Sequence, residues 1–198
     1  MVPGRLWGMV ARGLAGVVGQ TSTMPDRIGP MLNPDTNVRA VVLLVDDQAM
    51  VAEDIRRMLA DESDIEFHYC SNPRKAINTA TEINASLILL ELDLKAIDGK
   101  TLMRFFRANP STREIPVILL SFKDDPKIRS DVFANGANDY IVMMPDKIEL
   151  IARIRTHAYS YLTQQHRDAA FHSLLETQKV LEESNSELRR QISLLQNK

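Results

Sequence analysis

The chain has 198 residues, 44% hydrophobic and 25% charged, enough to bury one ordinary core and leave residues for an extension. Its 24 Lys and Arg against 26 Asp and Glu give a formal charge of -2, no electrostatic reason to expect nucleic acid or membrane as partner. Cys70 is the single cysteine, which excludes an intrachain disulfide and a multiple-thiolate metal site and fits a reducing cytoplasm.

The apolar stretch from Leu6 to Val18 is interrupted by Arg12, is too short to span a bilayer, and is followed by no small-x-small cleavage site. Gly, Pro, Ser and Thr then recur without period to about Val38, so residues 1–38 are expected to form a disordered leader, with Met24 and Met31 as alternative starts. From Ala40 short apolar runs alternate with amphipathic segments, the pattern of a parallel sheet wrapped by helices. The runs Val41 to Val45, Ile65 to Tyr69, Leu87 to Leu90, Val117 to Leu120 and Tyr140 to Val142 predict five strands covered on both faces.

Helices fill the gaps. Val51, Ile55 and Leu59 recur every four residues on a helix from Ala49 to Leu59, and a second lies near Pro73 to Thr81. Leu102, Phe105 and Phe106 mark a third that stops before Pro110. A fourth runs through Ile128 to Ala134 and ends at Asn135-Gly136, a left-handed stop. The fifth opens after Pro145-Asp146, and no Gly or Pro follows to Lys198, so one continuous helix is expected.

Along that helix Leu174, Leu181, Leu188 and Leu195 recur every seven residues, with Phe171, Gln178, Asn185 and Ile192 at the other seam position. The seam predicts a two-stranded coil, and Asn185 at an a position favours a parallel, in-register homodimer. The alternative is a single amphipathic helix folded back on the preceding domain.

In an open parallel sheet chemistry collects beyond the carboxyl ends of the strands. There the sequence has Asp46 and Asp47 after the first strand, Glu91 after the third, Ser121 after the fourth and Met143 after the fifth. Carboxylates with waters completing an octahedron suit magnesium, so Asp46, Asp47 and Glu91 are the candidate metal ligands.

The strings VLLVDDQAM, LILLELDLKAIDG, IPVILLS and GANDYIVMMP, in this order over about residues 40–158, resemble the response-regulator receiver (CheY-like) family. The resemblance implies a flavodoxin-like, doubly wound five-stranded α/β fold, two-component phosphorelay signalling and a histidine kinase as partner. It also implies magnesium at Asp46 and Asp47, and a switch through Ser121 and Tyr140. Two positions depart from the pattern. Eight residues before Gly99, where the family has its phosphoaccepting Asp, stands Glu91; the family Lys is replaced by Met143. The longer Glu misplaces in-line attack, and without the Lys no cation stabilises the phosphoryl group, so a degenerate receiver is expected. A rival reading keeps phosphorylation on Asp93, with Lys123 supplying a substitute charge.

VLLVDDQAM, IELIARIR and QQHRDAAF carry a more particular resemblance, to WspR-like response regulators, in which a receiver is joined by a helical stalk to a diguanylate cyclase domain. No GGDEF-type string occurs in this sequence, so cyclase activity is not implied, and a non-enzymatic module is expected. Its organisation would be leader 1–38, receiver 39–158 and coiled-coil stalk 159–198, continuous with the last receiver helix. Another reading makes the coil an inert scaffold that forms mixed dimers with a diguanylate cyclase response regulator. His68, His157, His166 and His172 have no metal-ligand spacing and read as structural or solvated, and Cys70 as a small buried hydrophobe. The charges around Glu182 to Arg190 read as the solvated flank of the coil.

Overall fold

The computed structural model describes residues 39–196, so the expected leader and the last two residues of the stalk lie outside the described residues. The elements are β1 (Ala40–Val45), α1 (Ala49–Leu59), β2 (Ile65–Cys70), α2 (Ala76–Glu82), β3 (Leu87–Glu91), α3 (Gly99–Ala108), β4 (Val117–Ser121), α4 (Pro126–Ala134), β5 (Asp139–Val142) and α5 (Lys147–Gln196). The strands form one parallel sheet in the order β2-β1-β3-β4-β5. This is the flavodoxin-like, doubly wound sheet expected, with its crevice where the order reverses beside β1 and β3.

Strand alternation divides the core in two. Val42, Leu44, Leu87, Leu89, Ile118 and Leu120 face α1 and α5, while Leu43, Val45, Ile88, Leu90, Val117 and Leu119 face α2, α3 and α4. β3 and β4 are buried throughout because they are central. β2 differs from the expectation of a strand covered on both faces: Glu66 to Tyr69 are only partly buried, because β2 is an edge strand.

The second helical segment also departs from the simple reading. It opens as a 3-10 turn, Pro73–Lys75, whose preceding residue Asn72 accepts the Arg74 amide at 3.0 Å, before α2 begins. α3 starts where Asp98 accepts the Thr101 amide at 3.1 Å. The next residue must be glycine, because a Cβ on Gly99 would lie 2.5 Å from the Glu91 carbonyl oxygen. α4 stops at the left-handed Gly136 (φ +100°), as expected. Gly136 also gives its carbonyl to the Arg107 guanidinium at 2.8 Å.

α5 has two parts. Leu150, Ile151, Ile154 and Ala158 bury its first turns against the sheet. From Thr163 to Ser193 every residue is exposed, a helix standing free of the domain for about 45 Å at 1.5 Å per residue.

Candidate functional site: an acidic pocket at the carboxyl edge

The register of the sheet builds the pocket. Leu44 pairs with Leu89 and Val45 with Leu90, so the next residues, Asp46 and Glu91, are neighbours at the carboxyl edge. By strand alternation both belong to the α1 and α5 side, as does Met143, whereas Tyr140 belongs to the α3 and α4 side. The chain thus brings Asp46, Asp47, Glu91, Ser121, Tyr140 and Met143 to one edge.

Asp46 is 0% exposed and Glu91 1%. Each has one oxygen satisfied by its own following loop: Asp46 Oδ1 accepts the Gln48 amide at 2.7 Å, and Glu91 Oε1 accepts the Asp93 amide at 3.0 Å. The other oxygens, Asp46 Oδ2 and Glu91 Oε2, are buried without a partner. Burial pushes both carboxyls up, and the neighbouring acids add to it: Asp46 is raised, and Glu91 is pushed up to about 7.

Asp47 turns away, its Oδ2 accepting the Lys95 amide at 2.9 Å across the mouth of the pocket. Among the described residues no three His, Cys, Asp or Glu side chains are gathered as a ready ligand set, so Asp46, Asp47 and Glu91 do not form a closed three-carboxylate cage. Magnesium does not need one, since it binds through one or two carboxylates and keeps several waters. Two buried, unpartnered carboxylate oxygens are what such a hydrated cation, or a proton, satisfies, and the residues fit it on that ground.

On the other flank Ser121 is buried and its Oγ accepts the Lys123 amide at 3.2 Å. The Tyr140 hydroxyl donates to the Lys123 carbonyl, and the Arg129 guanidinium lies 5.4 Å from the centre of the Tyr140 ring. The Lys123 ammonium, at the mouth, pairs with Asp93 at 2.9 Å. Met143 is buried in the apolar cluster with Leu120 and Ile141, its amide donating to the Ser121 carbonyl at 2.8 Å.

The histidines are accounted for locally: His68 pairs with Glu66 at 2.8 Å, His157 lies 3.2 Å from Asp139, and His166 and His172 are exposed. One polar group of this edge, the Tyr69 hydroxyl of β2, is missing from the sequence reading; it too is buried without a partner. Alternation along β2 from the register Tyr69–Leu44 was the signal that could have found it.

A doubly wound parallel sheet with two adjacent acids, a buried glutamate and a buried hydroxyl at its carboxyl edge has the architecture of a signalling domain. Residues 42–155 match the model for the response regulator receiver domain, and the chain belongs to that family. The transcriptional regulatory protein SrrA of Staphylococcus aureus is 33% identical over 114 residues, 58% of this chain and 46% of SrrA. The chain therefore spans about half the length of the curated relatives it matches. Among solved structures, a response regulator from Chloroflexus aurantiacus is 26% identical with a TM-score of 0.57, over 61% of this chain and 98% of that one. The signal receiver domain of a Luxo repressor protein from Vibrio parahaemolyticus, 20% identical, shares the fold at a TM-score of 0.59 over 65% of this chain and 96% of its own.

Proposed function

We propose that this receiver domain of two-component signalling is degenerate: it is not phosphorylated in the usual way, and it acts by homodimerisation and protein contacts in the cytoplasm. The observation that carries the reading is the pair Glu91 and Met143. Glu91, buried, stands where the resemblance puts the acceptor, and the apolar, buried Met143 where it puts the phosphate-pairing lysine. The nucleophile would be one methylene too long, and nothing at Met143 would stabilise developing negative charge. Asp46 and Glu91, with Asp47 at the mouth, would hold a magnesium ion, which when bound neutralises the repulsion between their carboxylates. No nucleic-acid or membrane partner is proposed; no described helix is long and apolar enough to cross a membrane.

The exposed seam supports the dimer. Leu174, Leu181, Leu188 and Leu195 are 53–74% exposed on the second, solvent-facing part of α5, and an isolated helix is marginal in water without a packed face. A parallel pair stacks Asn185 on its own copy and Gln178 on its own copy, so each amide finds a partner. An antiparallel pair would set both against leucines, leaving buried amides at about 1–3 kcal/mol each. Its compensation, a Glu182 to Arg189 pair on each flank, is worth at most about 1 kcal/mol per pair. The parallel arrangement wins. A diguanylate cyclase response regulator with a matching stalk is the alternative occupant of the seam.

Intact mass and solution size, before and after incubation with magnesium and a small-molecule phosphodonor, test the proposal. No gain in mass with a constant dimer is expected. A stable gain of one phosphoryl group overturns it and favours the second reading, phosphorylation of Asp93. A specific observation supports that reading: Asp93 is half exposed and already faces the Lys123 ammonium.

A further inference from the structure

Three buried polar atoms at this edge have no partner among the described residues: Asp46 Oδ2, Glu91 Oε2 and the hydroxyl of Tyr69. The first two belong to the expected acids; the third does not. Tyr69 pairs in register with Leu44 of β1 and packs with it against the α1 and α5 side. Asp46 lies two residues beyond Leu44 on that same side, which makes Tyr69 its diagonal neighbour. Diagonal neighbours in a sheet stand about 7–8 Å apart, within reach of an aromatic side chain. Tyr69 from β2, Asp46 from β1 and Glu91 from β3 thus stand in strand order at one corner of the sheet, close enough for the charge of Asp46 to act on the phenol. Burial, with the nearby charges of Asp46 and Asp47, raises the phenol above its ordinary pKa.

We propose that Tyr69 is a positioning residue of the cation pocket, its hydroxyl holding a water in the shell of a hydrated divalent ion beside Asp46. The inference rests on the cation reading given above. The chemistry is specific: a hard ion that keeps its waters needs oxygen atoms around those waters as well as around itself. The hydroxyl oxygen accepts a hydrogen from a cation-bound water, and a phenol ring packed against the α1 and α5 side of the sheet fixes where that water sits. Nothing else on β2 reaches this corner with a polar atom whose bonding is unspent: Glu66 is bonded to His68, and the Cys70 thiol donates to the Asn72 carbonyl at 3.2 Å.

The test uses the full chain and Mn2+ as a paramagnetic stand-in, with free Mn2+ followed by electron paramagnetic resonance and bound water by proton relaxation. Tyr69→Phe removes one oxygen and keeps the ring. It is expected to weaken Mn2+ binding about tenfold, at the lower end of outer-shell losses, and to change the bound-water relaxation. Its cation-free urea midpoint should equal or exceed that of the wild type. Unchanged Mn2+ affinity in Tyr69→Phe, with wild-type binding abolished by Asp46→Asn, overturns the role of Tyr69 and leaves the cation pocket standing. Absence of wild-type Mn2+ binding overturns both. A lowered cation-free midpoint that accounts for the whole loss of affinity makes Tyr69 structural only and also overturns the proposal.

Discussion

Replacing Glu91 by glutamine should stabilise the protein, and by an amount that depends on pH. Glu91 is 1% exposed, one of its oxygens has no partner, and its pKa is pushed from the ordinary 4.5 to about 7. A carboxyl whose folded pKa is raised costs nothing below its unfolded pKa, because it is protonated in both states. The cost grows as pH rises from 4.5 and is complete above about 7. The 2.5-unit difference between those two values corresponds to about 3 kcal/mol at 1.36 kcal/mol per unit, an upper figure for a site that can take up water or a cation. Urea unfolding in the presence of EDTA, at pH 4.5 and pH 8, measures it. Glu91→Gln should match the wild type at the lower pH and exceed it by up to about 3 kcal/mol at the higher. Asp64, held down to about 2 by the Arg155 guanidinium, has the opposite sign: its stabilisation is lost as pH falls from 3.8 towards 2, outside this window. The comparison of variant with wild type cancels other groups. A Glu91→Gln protein less stable than the wild type by the same amount at both pH values would refute the reasoning, since the carboxylate would then be satisfied.

Three further outcomes follow from the geometry. The double substitution Glu91→Asp with Met143→Lys should gain one phosphoryl group by mass from a small-molecule donor where the wild type gains none, while Asp93→Asn alone should leave the mass result unchanged. Leu181→Glu with Leu188→Glu should convert the proposed dimer to a monomer by light scattering and lower helicity by circular dichroism, because the exposed part of α5 then has no packed face. Arg107→Met should lower stability by about 2–3 kcal/mol in denaturant unfolding. It removes donors at 2.8–3.1 Å to the carbonyls of Gly136, Ile115 and Arg113 and to the Asn138 side chain.

What could be read in the sequence is what local pattern determines. The central strands announce themselves because β3 and β4 are apolar at nearly every position, and α3 because Leu102 and Phe106 mark its buried face before the stop at Pro110. The acids Asp46, Asp47 and Glu91 were legible because a parallel sheet collects its chemistry at strand ends. Arg107 was not. Its surroundings in sequence, RFFRANP, read as a solvated charge on a helix, and only the return of the chain at Gly136 and Asn138 makes it a staple. Tyr69 escaped for a related reason: on an edge strand an aromatic is ordinary, and its link to Asp46 exists only through the register with β1. The split of roles at the mouth, with Asp47 bonded to the Lys95 amide and Lys123 on Asp93, is likewise a matter of loop geometry.

The way α5 is fastened constrains how the pocket and the proposed coil can communicate. At the β5 edge of the sheet, Arg153 donates to Asp139 at 2.7 Å and His157 lies 3.2 Å from the same carboxylate. At the other edge, Arg155 holds Asp64 at 2.8 Å and Glu62 at 2.7 Å in the turn before β2, and the Tyr159 hydroxyl donates to Asp64 at 2.5 Å. Rotation of α5 about its own axis would break one set of these bonds. The pin on β5 is also the neighbour of Tyr140: Asp139 precedes it, accepts its amide at 2.8 Å, and alternates to the opposite side of the strand. The exposed Asp93 to Lys123 pair contributes at most about 1 kcal/mol to holding the Lys123 loop, too little to fix the switch alone. The buried contacts of Tyr140, shared between the Lys123 carbonyl and Arg129, are thus where a perturbation of the pocket would have to act to reach α5 through β5.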